Sequence, residues 1–218
     1  MYSFTEENYI KAIYKLQERS ENAINTNAIA EMMQTKAASV TDMVKKLSDK
    51  KLLKYEKYKG VSLTEAGNKV AIDTVRKHRL WETFLHNKLS FSWDEVHDIA
   101  EQLEHIQSSK LVDKLEEFLG FPTHDPHGDP IPGRNGAILR NKLVSVSELN
   151  LGDRGIISGV VNHSSVFLQH LEKNQLVLGK EIEVISRSEF DQSVKVRVNR
   201  QGQLVISFEV ASNILIKM

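Results

Sequence analysis

Cysteine is absent from this chain of 218 residues. Its absence excludes a disulfide-stapled scaffold, a zinc site built from thiolates and a cysteine nucleophile. No apolar run approaches the roughly 20 residues that a helix needs to cross a bilayer, and the first residues lack the apolar segment of a secretion signal. We therefore expect a cytoplasmic protein without a membrane partner.

Proline is scarce, and all four prolines fall within residues 121–133. Because proline fixes φ and cannot donate a backbone hydrogen bond, this segment is predicted to contain no helix and no central strand. Apolar residues recur at helical spacing before the segment and at every second position after it. The predicted fold class is a mainly α N-terminal region followed by a small all-β barrel.

Residues 5–64 show the order of a winged helix-turn-helix: three helices near 5–16, 26–33 and 37–50, then a hairpin from 52–57 and 61–63. In this motif the N-terminal end of the third helix faces the major groove, and lysines contact phosphates without reading the base sequence. The alternative is a solvated helix and hairpin that does not bind DNA and whose lysines only confer solubility. The candidate DNA-binding residues are Lys36, Ala37, Ala38, Ser39, Asp42, Lys45, Lys46, Lys57, Tyr58 and Lys59.

The zero net charge hides an uneven distribution. Residues 1–60 carry 11 Lys and Arg against 8 Asp and Glu, whereas residues 61–140 carry 9 against 13. A basic first segment favours a polyanionic partner, and an acidic middle segment favours a cation.

Histidines and glutamates recur in the acidic segment. On a helix predicted from Ser92 to about Ile106, spacings of i, i+4, i+7 and i+8 would place four such residues on one face. Imidazole and carboxylate without sulfur suit Mn²⁺ and Fe²⁺ and also bind Zn²⁺. An exposed polar face with salt bridges is the alternative. The four residues are His97, Glu101, Glu104 and His105, the preceding helix adds His78 and Glu82, and the proline segment adds His124, Asp125, His127 and Asp129.

Six segments resemble one protein family. They are residues 8–14, 38–44, 58–64, 76–80 (Arg-Lys-His-Arg-Leu), 96–105 (ending Glu-Gln-Leu-Glu-His) and 126–132. In this order they resemble the metal-dependent repressors of the diphtheria toxin repressor and manganese transport regulator family. The resemblance implies a winged helix-turn-helix DNA-binding domain over 1–64, a helical metal-binding and dimerisation domain over 65–140, and an SH3-like, iron-transport-accessory domain over 141–218.

The resemblance also implies a function and its residues. A homodimer would bind a palindromic double-stranded operator when loaded with metal and repress genes for metal uptake, without an organic cofactor. One metal site would use Asn8, Glu101, Glu104 and His105; a second would use His78, Glu82, His97 and His163, or alternatively Asp125 and His127 with Glu82 and His163. Two departures stand out: Asn8 offers only a neutral oxygen, and Lys11 replaces an acidic residue of the short manganese sensors.

Glu101 stands where the iron sensors of that family carry sulfur, so Mn²⁺ is the expected ion and Fe²⁺ the alternative. A winged-helix regulator that responds to an organic ligand is a further alternative, and chelation would leave its DNA binding intact. A metallohydrolase is a third hypothesis, but the chain has no HExxH motif or comparable catalytic spacing. We therefore expect a transcription regulator with no catalytic residues.

Overall fold

The computed structural model describes residues 2–18, 23–56, 60–139, 141–199 and 202–218. The chain divides into two compact units. The first comprises Met1–His78, Glu101–Ser109 and Pro132–Ala137, and the second comprises Arg79–Ala100, Lys110–Ile131 and Ile138–Met218. No helix among the described residues is both long and apolar enough to span a membrane.

The first unit begins with three helices and a hairpin. Helices α1 (Phe4–Glu18), α2 (Thr26–Met32) and α3 (Ala37–Asp49) precede the antiparallel strands β1 (Leu53–Glu56) and β2 (Gly60–Leu63). Asn25 starts α2 by accepting a hydrogen bond from the backbone of Ala28, which satisfies one of the donors left unpaired at a helix start. The predicted order of helices and hairpin is confirmed. The buried side chains between these elements include Ile10, Ile13, Ile29, Val40, Val44, Leu47 and Val61.

Three more helices follow, namely α4 (Glu65–Leu89), α5 (Val96–Leu103) and α6 (Ser109–Phe118). The prediction of one helix from Ser92 to Ile106 is wrong at both ends. Ser92 bonds to Asp94 and Glu95 at 2.6 and 2.7 Å, and these bonds stabilise a turn before the helix begins. Glu104 and His105 lie in the turn after α5, so they do not share one helical face with His97.

The proline segment contains neither a helix nor a strand, as predicted. Its backbone is closed by an isolated bridge between His124 and Pro130, and Asp125 N donates to Asp129 O at 3.0 Å. Asp125 Oδ1 accepts from the backbone of His127 at 2.8 Å and of Asp129 at 3.0 Å. A short, rigid loop therefore presents the side chains of this segment.

The C-terminal region is a six-stranded antiparallel sheet with the order β3-β8-β4-β5-β6-β7, which confirms the predicted β class. Its strands are β3 (Val144–Ser145), β4 (Arg154–Val160), β5 (Glu181–Arg187), β6 (Val194–Val198), β7 (Gly202–Ile206) and β8 (Ile214–Lys217), with helices α7 (Ser165–Lys173) and α8 (Phe208–Asn213) between them. Strand β7 ends at Ile206, because Ser207 caps α8. The core contains Val146, Ile157, Leu168, Leu171, Leu176, Ile182, Val196, Ile214 and Ile216.

Candidate metal centres and DNA-binding surface

The N-terminal end of α3 is exposed. Lys36 is its N-cap residue, and the following residues up to Ser39 are also exposed, as is Asp42. The apolar positions Val40, Val44 and Leu47 of the same helix are buried, so the helix turns one face to the core and the other to solvent. The exposed face consists of short side chains flanked by lysines, which allows a helix to approach a groove closely.

Two lysines of α3 differ in their surroundings. Both are exposed, but Lys46 Nζ lies 3.0 Å from Glu6 Oε1 on α1. Lys50 donates to the same oxygen at 2.6 Å, and this hydrogen bond is the main cause that lowers the pKa of Glu6 to about 2. Glu6 therefore fixes the far half of α3 against α1. The wing candidates Lys57, Tyr58 and Lys59 lie outside the described residues.

Lys11 contacts the carboxylates of Glu101 and Glu104, which belong to the first predicted metal site. Lys11 Nζ lies 2.6 Å from Glu104 Oε1, donates to Glu104 Oε2 at 2.9 Å, and donates to Glu101 Oε1 at 3.2 Å. Glu104 is fully buried and Lys11 is 5% exposed. Burial favours the neutral carboxyl of Glu104, but the hydrogen bond from His78 and the charge of Lys11 outweigh it and hold the pKa of Glu104 below its usual value.

The other predicted ligands of this cluster make contacts of their own. His78 Nδ1 lies 2.6 Å from Glu104 Oε2, and His105 Nδ1 lies 2.6 Å from Glu7 Oε2. The Glu7 carboxylate also accepts from Gln107, at 3.0 Å. Asn8 Oδ1 is buried and accepts no hydrogen bond from the described residues.

A second cluster joins α4 to the proline segment within the second unit. Glu82, Asp125 and His127 are all buried, and each offers a ligand atom within 4.8 Å of the others. His127 Nε2 lies 2.7 Å from the carbonyl oxygen of Trp93. Because a carbonyl only accepts, Nε2 carries hydrogen, and in the neutral ring the lone pair is on Nδ1. That nitrogen is buried, makes no hydrogen bond to the described residues, and lies 3.7 Å from Glu82 Oε1.

The electrostatics of the second cluster favour an added positive charge. Burial, together with the nearby carboxylates of Glu82 and Asp129, raises the pKa of Asp125 well above its usual range. Burial alone would lower the pKa of His127, but the carboxylates of Glu82 and Asp125 outweigh it and raise that pKa to about 9. Two buried carboxyl groups side by side therefore stabilise a cation between them.

Two further histidines border this cluster. His97 Nδ1 lies 3.2 Å from Glu82 Oε1, and its side chain is 30% exposed. The ring of His163 stacks on that of His127, and burial lowers the pKa of His163. The donor set of carboxylate oxygen and imidazole nitrogen, with His127 Nδ1 facing two acids, fits a divalent cation of the Mn²⁺ and Fe²⁺ type, which would displace the proton from that nitrogen. His124 instead contacts Thr123 and Asn141.

Sequence reasoning missed the roles of Arg79 and Glu7. Arg79 donates to Pro130 O at 2.6 Å and to Asp129 Oδ2 at 2.9 Å, and its Nε lies 3.6 Å from Asp125 Oδ2, so it holds the proline segment to α4. The Arg-Lys-His-Arg-Leu motif marked this arginine without indicating its partner. Glu7 was interpreted only as an acid in the first turn of a helix, where it is favourable near the helix N-terminus, so its contact with His105 was not expected.

A helix-turn-helix with a hairpin, combined with a buried cluster of acids and imidazoles, defines the class of metal-responsive transcription regulators. Three family models match the chain in order: the iron-dependent repressor N-terminal DNA-binding domain over 1–61, the iron-dependent repressor metal-binding and dimerisation domain over 64–133, and the FeoA domain over 144–218. The chain belongs to the iron-dependent repressor family, which comprises metal-dependent, DNA-binding transcriptional repressors. The family resemblance seen in the sequence is confirmed.

Individual relatives agree. The iron-dependent repressor IdeR of Mycobacterium leprae is 32% identical over 155 residues, which cover 68% of this chain and 67% of that protein. The diphtheria toxin repressor of Corynebacterium glutamicum is 27% identical over 213 residues, which cover 95% of this chain and 90% of that protein. A solved structure of a manganese-dependent transcriptional repressor in complex with manganese has a TM-score of 0.87 at 32% identity and covers 97% of this chain and 98% of its own. Alignments to other mycobacterial IdeR proteins span 56% of their length.

Proposed function

We propose that this chain is a manganese-responsive repressor that senses the ion at Glu82, Asp125 and His127. The burial of these residues, with their ligand atoms within 4.8 Å of one another, is the observation that carries the proposal. A buried pair of carboxyl groups needs a compensating charge, and a divalent ion supplies it when bound. The bound ion would connect the proline segment to α4, because it would take ligands from both.

The choice of Mn²⁺ rests on the donor chemistry and on the relatives. The cluster provides oxygen and nitrogen but no sulfur, and Mn²⁺ prefers hard donors of this kind. A relative of nearly equal length is described as a manganese-dependent repressor in complex with manganese. Fe²⁺ is the alternative, because the mycobacterial and corynebacterial relatives are iron-dependent or diphtheria toxin repressors. Because Mn²⁺ is the weakest binder of the first-row series, selectivity depends on ligand type and on the availability of each ion in the cell.

The exposed end of α3 is the proposed reading surface. Residues 36–39 and Asp42 would face the major groove, while Lys45 and the wing would contact phosphates. A homodimer would place two such helices on the half-sites of a palindromic operator, about 34 Å apart. The same proposal includes the domain limits 1–64, 65–140 and 141–218. It also includes action in the cytoplasm, control of metal-uptake genes and the absence of a catalytic role.

Metal and DNA would act on one another through linkage. An ion strengthens operator binding only if it binds the operator-competent arrangement more tightly than the others, and DNA then strengthens ion binding by the same factor. A coupling of about 1 to 3 kcal/mol corresponds to a change of about 5- to 150-fold in operator affinity.

The test is a selection from random duplex DNA with the full chain and Mn²⁺, followed by anisotropy titrations of the selected sequence. We expect palindromic sequences, tighter binding with Mn²⁺ than with a chelator, and loss of that difference in His127→Ala. The control is His170→Ala, because His170 is exposed on α7. Equal affinity of the metal-free and Mn²⁺-loaded wild type would overturn the proposal and favour a regulator of another ligand. Anaerobic titration with Fe²⁺ decides between the two ions.

A further inference from the structure

Lys11 is an unusual residue for the inner face of a helix in a DNA-binding unit. It lies in α1 with 5% of its surface exposed, and its ammonium group contacts two carboxylates beyond that helix, at the end of α5 and in the turn that follows. A buried ammonium is strongly unfavourable unless it is paired and hydrogen-bonded. The ammonium lies 2.6 Å from Glu104 Oε1 and donates a hydrogen bond to Glu104 Oε2 at 2.9 Å, so this buried charge faces a buried carboxylate at short range.

His105, the imidazole of this cluster, has partners of its own. His105 is bound to Glu7 through Nδ1, its ring stacks on Phe4 with centroids 4.6 Å apart, and its Nε2 is 3.8 Å from Glu104 Oε1. Asn8 Oδ1 is buried and accepts no hydrogen bond from the described residues, but an amide oxygen carries no charge with which to offset a second cation beside Lys11. A divalent ion at Glu101 and Glu104 would therefore meet an ammonium already in contact with both acids, and this donor set does not fit the ion.

We propose that the Lys11 ammonium is a built-in cation that holds α1 to the Glu101 and Glu104 carboxylates, so that this cluster takes no metal in the native chain. The contact between the helix-turn-helix and the end of α5 is then permanent and independent of metal supply. Control by metal falls to the cluster of Glu82, Asp125 and His127, and this last consequence rests on the function proposed above.

Lys11→Met removes the charge while keeping a long apolar side chain, and Mn²⁺ bound per subunit is counted by electron paramagnetic resonance of the free ion. We expect Lys11→Met to bind one more Mn²⁺ than the wild type, and the double variant Lys11→Met/His105→Ala to lose the additional ion. Mn²⁺ should also raise the melting temperature of Lys11→Met more than that of the wild type. The matched control is Lys77→Met, since Lys77 is equally buried and pairs with Asp73; its Mn²⁺ count should equal that of the wild type.

The possible results separate this inference from the proposed function. If folded Lys11→Met binds the same number of Mn²⁺ ions as the wild type, only the inference is overturned. If the wild type binds no Mn²⁺ and Lys11→Met binds one, only the proposed function is overturned. If Lys11→Met does not fold, anomalous diffraction from wild-type crystals grown with Mn²⁺ gives the answer. A manganese peak bonded to Glu104 contradicts the inference, and a peak at His127 without one at Glu104 supports it.

Discussion

The imidazole ring of His163 stacks on that of His127, with the ring centroids 4.7 Å apart and the planes inclined by 19°. His163 Nε2 donates to Val160 O at 3.2 Å, and Val160 N donates to His127 O at 3.1 Å. Val160, at the end of β4, therefore positions both histidines through these hydrogen bonds. We expect His163→Ala to weaken Mn²⁺ binding by about 10- to 100-fold, the usual effect of removing a group that orients a metal ligand.

This affinity is measured by competition with a fluorescent Mn²⁺ indicator, and His170→Ala, on an exposed position of α7, provides the control. A His163→Ala variant that binds Mn²⁺ as tightly as the wild type would show that the stacked ring does not position His127.

Gly128 lets the proline segment approach β4. Its φ is +89°, and a Cβ at this position would lie 2.1 Å from Ser158 O and 2.5 Å from the Cα of Gly159. Gly128→Ala should therefore displace the loop and its histidine, which lowers both the stability to urea and the affinity for Mn²⁺. Gly152 has φ +83° with nothing within 4 Å of the added Cβ, so Gly152→Ala should cost only the backbone strain of about 1 to 2 kcal/mol and leave the affinity for Mn²⁺ unchanged. Equal effects of the two substitutions on Mn²⁺ affinity would contradict this role of Gly128.

The helical part of the fold was predictable because its apolar residues are regularly spaced. Val40, Val44 and Leu47 recur at the helical period, and all three are buried in α3. The candidate metal residues could be identified for a similar reason, since imidazole and carboxylate groups of the chemistry needed are few and concentrated in one segment. The spacing of the residues carries no information on the grouping of Asp125 and His127 with Glu82, which depends on chain folding; only the family resemblance included it, as one of two alternatives.

Strands β4 and β8 could not be predicted from the pattern. Two glycines interrupt β4, and the register shift between Ile157 and Gly159 breaks the alternation of buried and exposed positions. The contacts of Lys11 were equally inaccessible, because Glu101 and Glu104 are about ninety residues away and a lysine on α1 has the ordinary interpretation of a solvated charge. Long-range ion pairs of this kind leave no local signal.

The lysines of α3 should contribute unequally to DNA binding. Both lysines are exposed, but the charge of Lys46 is already paired with Glu6, 3.0 Å away, and this ion pair must weaken when Lys46 contacts a phosphate. Each phosphate contact contributes about 0.9 to the slope of log affinity against log salt concentration. We expect Lys45→Ala to reduce this slope by about 1 and Lys46→Ala to reduce it by less. Anisotropy titrations over a salt series measure the slopes, with Lys173→Ala as a control at an exposed position of α7. A larger change for Lys46→Ala than for Lys45→Ala would contradict the assignment.

Glu183 links three neighbouring strands of the C-terminal sheet. It is in register with Arg154 on β4 and Arg197 on β6, and its two carboxylate oxygens accept hydrogen bonds from these arginines at 2.9 and 2.7 Å. Burial of the carboxyl acts to raise the pKa of Glu183, but the two arginines outweigh it and the net shift is downward. Because the folded state then binds the proton less readily than the unfolded state, the carboxylate stabilises the fold above the usual glutamate pKa of about 4.3, and this contribution is lost as the pH falls through the lowered value.

Glu183→Gln is therefore expected to lower the urea midpoint modestly at about pH 7, with a difference from the wild type that shrinks as the pH is reduced below about 4. Urea unfolding at a series of pH values without added metal measures this difference. Glu189→Gln, at an exposed position after β5, should show little effect at any of these pH values. A destabilisation by Glu183→Gln that stays constant down to the lowest pH at which both proteins are folded would mean that side-chain packing, and not the charge shared with the two arginines, is what Glu183 contributes.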